Sequence, residues 1–133
     1  MNQSTPKLNP KQIEAVLALS GPKRYSHFIK RVADWEVVWS LYDDGWAMAE
    51  TDNGIQTVPF WPAEDYAILC SLDHWQGFKP KGIPLDEFMN DLLPSLKGDG
   101  VLPGIFPTPA GLSVTPTIEE LLDDLNQELQ WYA

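Results

Sequence analysis

A chain of 133 residues, 44% of them hydrophobic and six of them tryptophan, has the length of one domain and enough apolar surface to offset the entropy of ordering its backbone. Its single cysteine, Cys70, excludes an intramolecular disulfide and a cysteine-built zinc site, in keeping with a reducing compartment. No apolar run reaches the roughly 18 residues of a membrane span, and the opening MNQSTPKLNPKQ lacks a signal peptide's apolar segment. The expectation is a cytoplasmic protein without a membrane partner, one domain over residues 1–133 with a loose tail at 1–9.

The net charge of −10 is unevenly spread, with six bases against one acid in residues 1–31 and three bases against eighteen acids in residues 32–133. The plain reading is a basic N-terminal helix pair over an acidic body kept soluble by its charge. The sharper one is an acidic face that steers toward a basic partner. Nucleic acid is not expected, because most of the chain would repel a phosphate backbone.

Asn9-Pro10 reads as an N-cap followed by proline in the first turn, and Ile13, Val16 and Leu17 recur at helical spacing, so a first helix is predicted over 10–19. Ser20-Gly21-Pro22 breaks it. Tyr25, Phe28, Ile29 and Val32 then make one apolar stripe, the mark of an amphipathic second helix ending near Ala33.

From Trp35 to Trp75 lies an aromatic block with five of the six tryptophans, in which the period changes from 3.6 to 2. Asp44-Gly45 and Asn53-Gly54 signal tight hairpins, so strands at 37–43, 46–52 and 55–61 are predicted to form a three-stranded antiparallel meander. Two-residue loops would set 41 opposite 48, 39 opposite 50, 48 opposite 59 and 46 opposite 61. One face would then carry Trp39, Leu41, Trp46, Met48, Pro59 and Trp61, and the other Val38, Tyr42, Ala47, Ala49, Val58 and Phe60. Neither face is polar, so the tryptophan face is either a second buried layer or an exposed docking surface.

A third helix is expected from Pro62 to Gly77, with Glu64 and Asp65 favoured in its first turn by the helix dipole. An extended segment from Phe78 to Ile83 leads into a fourth helix carrying Leu85, Phe88, Met89, Leu92, Leu93 and Leu96, with Pro94 kinking or tightening its last turn. VLPGIFP and LSVT read as short strands about Ala110-Gly111, the prolines marking an edge or bulge. Thr117 and Glu120 form a capping box for a last helix with Ile118, Leu121, Leu122, Leu125, Leu129 and Tyr132 inward. The expected fold class is α+β, a mostly antiparallel sheet containing the meander with helices packed on it.

The runs WSLYDDGWA at 39–47 and FWPAEDYA at 60–67, with GPKRYSHFIKRVADWEVV, IPLDEFMNDLLPSLKGDGV and GIFPTPAG around them, resemble a family of small bacterial proteins known as domain of unknown function 2750. The likeness spans about residues 12–130. It implies a bacterial cytoplasmic origin and a compact single domain, and carries no activity or catalytic residue with it.

Candidate chemistry is sparse. Cys70 and His74 are four apart on a predicted helix, a spacing that suits a thiolate and its base, but a buried core cysteine and a solvated histidine explain them as well. His27 and His74 sit on separate helices with no third ligand at motif spacing, so neither a metal nor another cofactor is expected. Glu64, Asp65 and Asp73 are possible paired carboxylates, although an acid at a helix N-terminus already has a structural reason to be there. No G-x-S-x-G elbow or phosphate-cradling glycine loop occurs, and catalysis has no visible support.

The leading expectation is therefore a protein-interaction or regulatory domain that acts through an aromatic and acidic surface, by self-association or on a protein partner. An antidote to a basic toxin is one form of it. The rival is a small-molecule-binding or catalytic domain with a tryptophan-lined pocket near Trp61. The candidate binding residues are Trp39, Trp46, Trp61, Glu64 and Asp65.

Overall fold

Asn9 accepts a hydrogen bond from the Gln12 N–H and donates its own N–H to the Gln12 side chain, and this reciprocal cap starts α1 (Pro10–Leu17). The computed structural model describes residues 8–72, 74–110 and 113–132. The expected tail up to residue 7, Asp73, Gly111 of the expected turn and the side chain of Tyr132 lie outside the described residues. Ser20 caps α2 (Gly21–Trp35), which buries Phe28, Ile29, Val32 and Ala33 and runs two residues beyond the expected end. Glu36 terminates it in the left-handed region, at φ 59°.

The other elements are β1 (Val37–Tyr42), β2 (Ala49–Glu50), β3 (Gln56–Phe60), α3 (Glu64–Ser71), β4 (Lys79–Pro84), a helix α4 over 85–98, β5 (Leu102–Ile105) and α5 (Ile118–Leu129). The fold is α+β: β1 pairs antiparallel with β4, while β3 pairs antiparallel with β2 and parallel with β5. Helices α2 and α3 pack against these strands and α5 packs against α2 and α4, so that Phe28, Tyr66, Leu121 and Leu125 share one buried core with Leu41, Phe60 and Trp61. The reciprocal cap of Thr117 and Glu120 opens α5 as the sequence indicates.

The three-stranded meander does not form. Both glycine turns occur where expected, but each is one residue longer than a two-residue loop. Tyr42 pairs with Trp46 around Asp43-Asp44-Gly45, and Thr51 meets Ile55 around Asp52-Asn53-Gly54. Gly54, at φ 82°, supplies the left-handed residue that closes a three-residue loop. A one-residue slip changes the parity of every pair that follows. Ala49 therefore lies opposite Thr57. Trp61 does not meet Trp46 either: it lies past the end of the β2–β3 ladder and bridges directly to Trp39 of β1, with reciprocal N–H to carbonyl bonds of 2.9 and 2.8 Å. Strand β1, VVWSLY, is buried on both faces but for Tyr42, with the buried Ser40 hydroxyl donating to the Pro59 carbonyl, and it takes its long partner from β4.

Pro94 acts in the opposite sense to a tightened turn. A proline has no N–H to return to the preceding turn. Just before it, Phe88–Leu92 widens into a π-helical stretch between the α-helical Leu85–Glu87 and Leu93–Gly98. Strand β5 is an edge of its sheet, as Pro103 suggests, and Val114 from the LSVT segment adds a single bridge to Ile105.

Candidate ligand-binding pocket

The stretch Gly104-Ile105-Phe106-Pro107-Thr108 leaves β5 in a conformation that must be held in place. Phe106 has φ 56°, in the left-handed region that costs a residue with a Cβ about 1–2 kcal/mol. Its ring is fully buried with the Tyr66 ring 4.7 Å away, and its N–H donates to the Phe60 carbonyl at 2.8 Å. The buried guanidinium of Arg24, on α2, donates from Nε to the Phe106 carbonyl at 3.2 Å and from Nη1 to Leu19 at 2.6 Å. At the next residue, the Pro107 carbonyl accepts the Trp61 indole N–H at 2.8 Å and the Cys70 thiol at 3.4 Å. A buried carbonyl without a donor is costly. Here α2, the end of β3 and α3 each send a buried donor to two adjacent carbonyls.

Beside this loop is a cavity of about 330 Å³, walled by Met48, Pro59, Trp75 and Pro107 and edged by Thr57 and Thr108. Gly104 forms a notch in its floor: a Cβ there would lie 3.4 Å from Thr57 Oγ1 and 3.5 Å from Ser113 Oγ, so two hydroxyls converge on space that the glycine leaves free. Thr57 donates to the Ala49 carbonyl at 3.4 Å and keeps its lone pairs. Thr108 accepts from the Ala110 N–H at 3.2 Å and keeps its proton. The Trp75 indole N–H is taken by the Met48 carbonyl at 3.1 Å, which leaves its ring as a wall. Among the described residues, the lining contains no carboxylate, lysine or arginine, and His74 adds an imidazole at the rim. Such a surface suits an uncharged molecule with a donor and an acceptor.

The five residues singled out by the sequence do not meet in one place. Trp61 is fully buried behind the cavity, with its ring 6.1 Å from that of Trp75. Trp39 is 8% exposed, and its indole N–H has no acceptor among the described residues. Trp46 is half-buried and packs edge-on to Tyr42, 5.0 Å away. Glu64 is exposed and Asp65 half-buried in the first turn of α3, and neither lines the cavity. Cys70 is buried with its thiol on Pro107, while His74 is exposed.

Sequence reasoning missed Thr57, Gly104 and Thr108. The available signal was Gly104 itself, since a glycine inside a strand often marks close approach by another group.

Among the described residues, no three His, Cys, Asp or Glu side chains are grouped to hold a metal, and no helix is long and apolar enough to cross a membrane. Residues 25–125 match the model of a protein family described as protein of unknown function, DUF2750. No curated protein and no solved structure matches the chain.

Proposed function

The chain belongs to the DUF2750 family of proteins of unknown function, and from the geometry of its pocket we propose that it binds a small uncharged molecule between Trp75 and the Gly104–Thr108 loop. The carrying observation is the convergence of Arg24, Trp61 and Cys70 on the carbonyls of Phe106 and Pro107. Together they hold a left-handed, non-glycine residue, Phe106, in the loop whose Gly104, Pro107 and Thr108 line the cavity. Strain held by surrounding structure is a recurrent property of ligand sites, and a fixed loop reduces the ordering cost of binding. The volume of about 330 Å³ suits a ligand of metabolite size. The reading is of binding rather than catalysis, because the lining offers hydroxyls and an imidazole with no carboxylate among the described residues to orient them.

Thermal-shift measurements with neutral and charged metabolites, on the wild type and on Gly104→Ala, test this. The added methyl meets its neighbours at ordinary contact distance, so the fold is retained while the notch is filled. Neutral compounds are expected to stabilise the wild type and not the variant. No neutral stabiliser at all, or equal stabilisation of both proteins, would overturn the reading.

A second reading, the protein-interaction or regulatory domain, draws its support from other side chains than the sequence suggested. Trp131 is 83% exposed and Leu72 63% exposed on an acidic chain, features suited to self-association or to a basic partner, of which a toxin would be one kind. Light scattering after gel filtration, with affinity capture from lysate, tests it. A monomer that captures nothing counts against it.

A further inference from the structure

A second groove, sharing no lining residue with the first, runs between β4 and α4 and encloses about 360 Å³. Gly82 contributes no side chain to its floor, and a Cβ there would meet the Trp39 ring at 3.2 Å. At one end the three-residue turn that pairs Tyr42 with Trp46 sets their rings 5.0 Å apart at 82°, an open aromatic corner. The Lys81 ammonium occupies that corner, 4.4 Å from the Tyr42 centroid and 5.5 Å from the Trp46 centroid. Both distances lie within the roughly 6 Å over which a ring face attracts a cation. Glu87 and Asp91, one turn apart on α4, line the same groove, and neither has an ion-pair partner among the described residues.

We propose that the Tyr42–Trp46 corner is a binding site for an organic cation of the alkylammonium class, preferentially quaternary, and that Lys81 is its tethered occupant when no ligand is bound. Lys81 is an exposed side chain on a flexible stem, with a strongly hydrated ammonium that returns to water at little cost. A quaternary ammonium is larger and holds its hydration less tightly, so it loses less on meeting the two rings, which is why aromatic cages select such groups. Glu87 and Asp91 supply compensating charge without requiring an N–H donor from the ligand. The acidic body of the chain raises the local concentration of any cation that approaches.

The test is a titration, followed by the indole N–H resonances, of the wild type, Lys81→Met and Trp46→Leu. The titrants are tetramethylammonium, choline, a trimethyl-lysine peptide and 3,3-dimethyl-1-butanol, the neutral isostere of choline. Removing the tethered competitor is expected to tighten quaternary ammonium binding about tenfold in Lys81→Met, within the range of a cation–π contact. Trp46→Leu is expected to abolish saturation, and the neutral isostere to leave the resonances unmoved. Choline saturating before the peptide assigns the site to a free solute, and the reverse order to a modified protein; either supports the proposal. It is overturned if the isostere binds as well as choline, if affinity falls in Lys81→Met, or if neither the wild type nor Lys81→Met shows a saturable shift. Because Lys81 is exposed, its replacement leaves the fold intact and each outcome interpretable.

Discussion

The indole N–H of Trp61 and the thiol of Cys70 donate to one acceptor, the carbonyl oxygen of Pro107, at 2.8 and 3.4 Å. Both side chains are buried, so their polar atoms need a partner inside the protein. A proline-rich segment has carbonyls in excess of N–H groups, and Pro107 meets that need. Two residues that invite a chemical reading, a tryptophan in an aromatic block and a lone cysteine, are here spent on positioning a loop.

Trp61→Phe keeps most of the buried ring and removes the indole donor. A loss of about 1–3 kcal/mol is expected in urea denaturation, together with faster exchange of the Phe106 amide as the loop loosens. An unchanged midpoint would mean that the indole bond contributes nothing net to the fold.

Glu36 ends α2 at φ 59° and ψ 30°, and its backbone carbonyl accepts the Leu85 N–H at 3.0 Å. Glycine adopts that backbone without the Cβ clash and keeps the carbonyl in place. Glu36→Gly is therefore expected to stabilise the protein by about 1 kcal/mol, read as a rise in Tm. A fall would show that the glutamate side chain outweighs the strain.

Burial, and then the nearby charge of Arg31, holds the pKa of His27 below its ordinary value of 6.5. The folded protein thus prefers neutral imidazole, and between the lowered pKa and 6.5 the unfolded chain binds more protons. Stability is expected to fall as pH drops through 6.5 toward the lowered pKa. Urea midpoints at pH 7.5 and pH 5.5 (about one unit either side) check this, and His27→Gln should flatten the difference.

At the alkaline end, burial and then the charge of Asp65 push Tyr66 up to about 12 from 10.0. The stability tied to its neutral phenol is fully present below pH 10 and is lost as pH rises toward 12, on the order of 2–3 kcal/mol. Tyr25 is raised as well, by burial and by its 2.5 Å hydrogen bond to Asp124. Tyr66→Phe is accordingly expected to reduce the alkaline loss of stability without abolishing it. An undiminished loss would assign the effect to Tyr25 and other groups.

Local chemistry was legible in the sequence and pairing was not. Asn9 caps α1, and Thr117 with Glu120 caps α5, because a cap is settled within four residues. Gly45 and Gly54 mark the turns correctly, yet the same dipeptides serve two-residue and three-residue loops, and the choice between them decides which residue of β3 faces Ala49. The segment from Phe78 to Ile83 reads as extended, but the pairing of Lys79–Pro84 with β1 depends on which apolar strand most needs a partner. The pocket was less visible still. Thr57, Gly104 and Thr108 come from two separated segments, and their residue types have no signature until the fold brings them together. Trp61 was placed beside a pocket, though it supports the loop from behind.

The parallel pairing of β3 with β5 fixes an order of events during synthesis. Gln56–Phe60 leave the ribosome with β2 as their near neighbour, but the partner on their other side, Leu102–Ile105, follows only after α3, β4 and α4 have been made. Closing so long a loop precedes any gain from the contacts it allows, so this edge of the sheet forms late. The notch at Gly104 is built on that edge. A nascent chain that ends before Leu102 can begin its helices and the β1–β4 ladder, but it has no pocket.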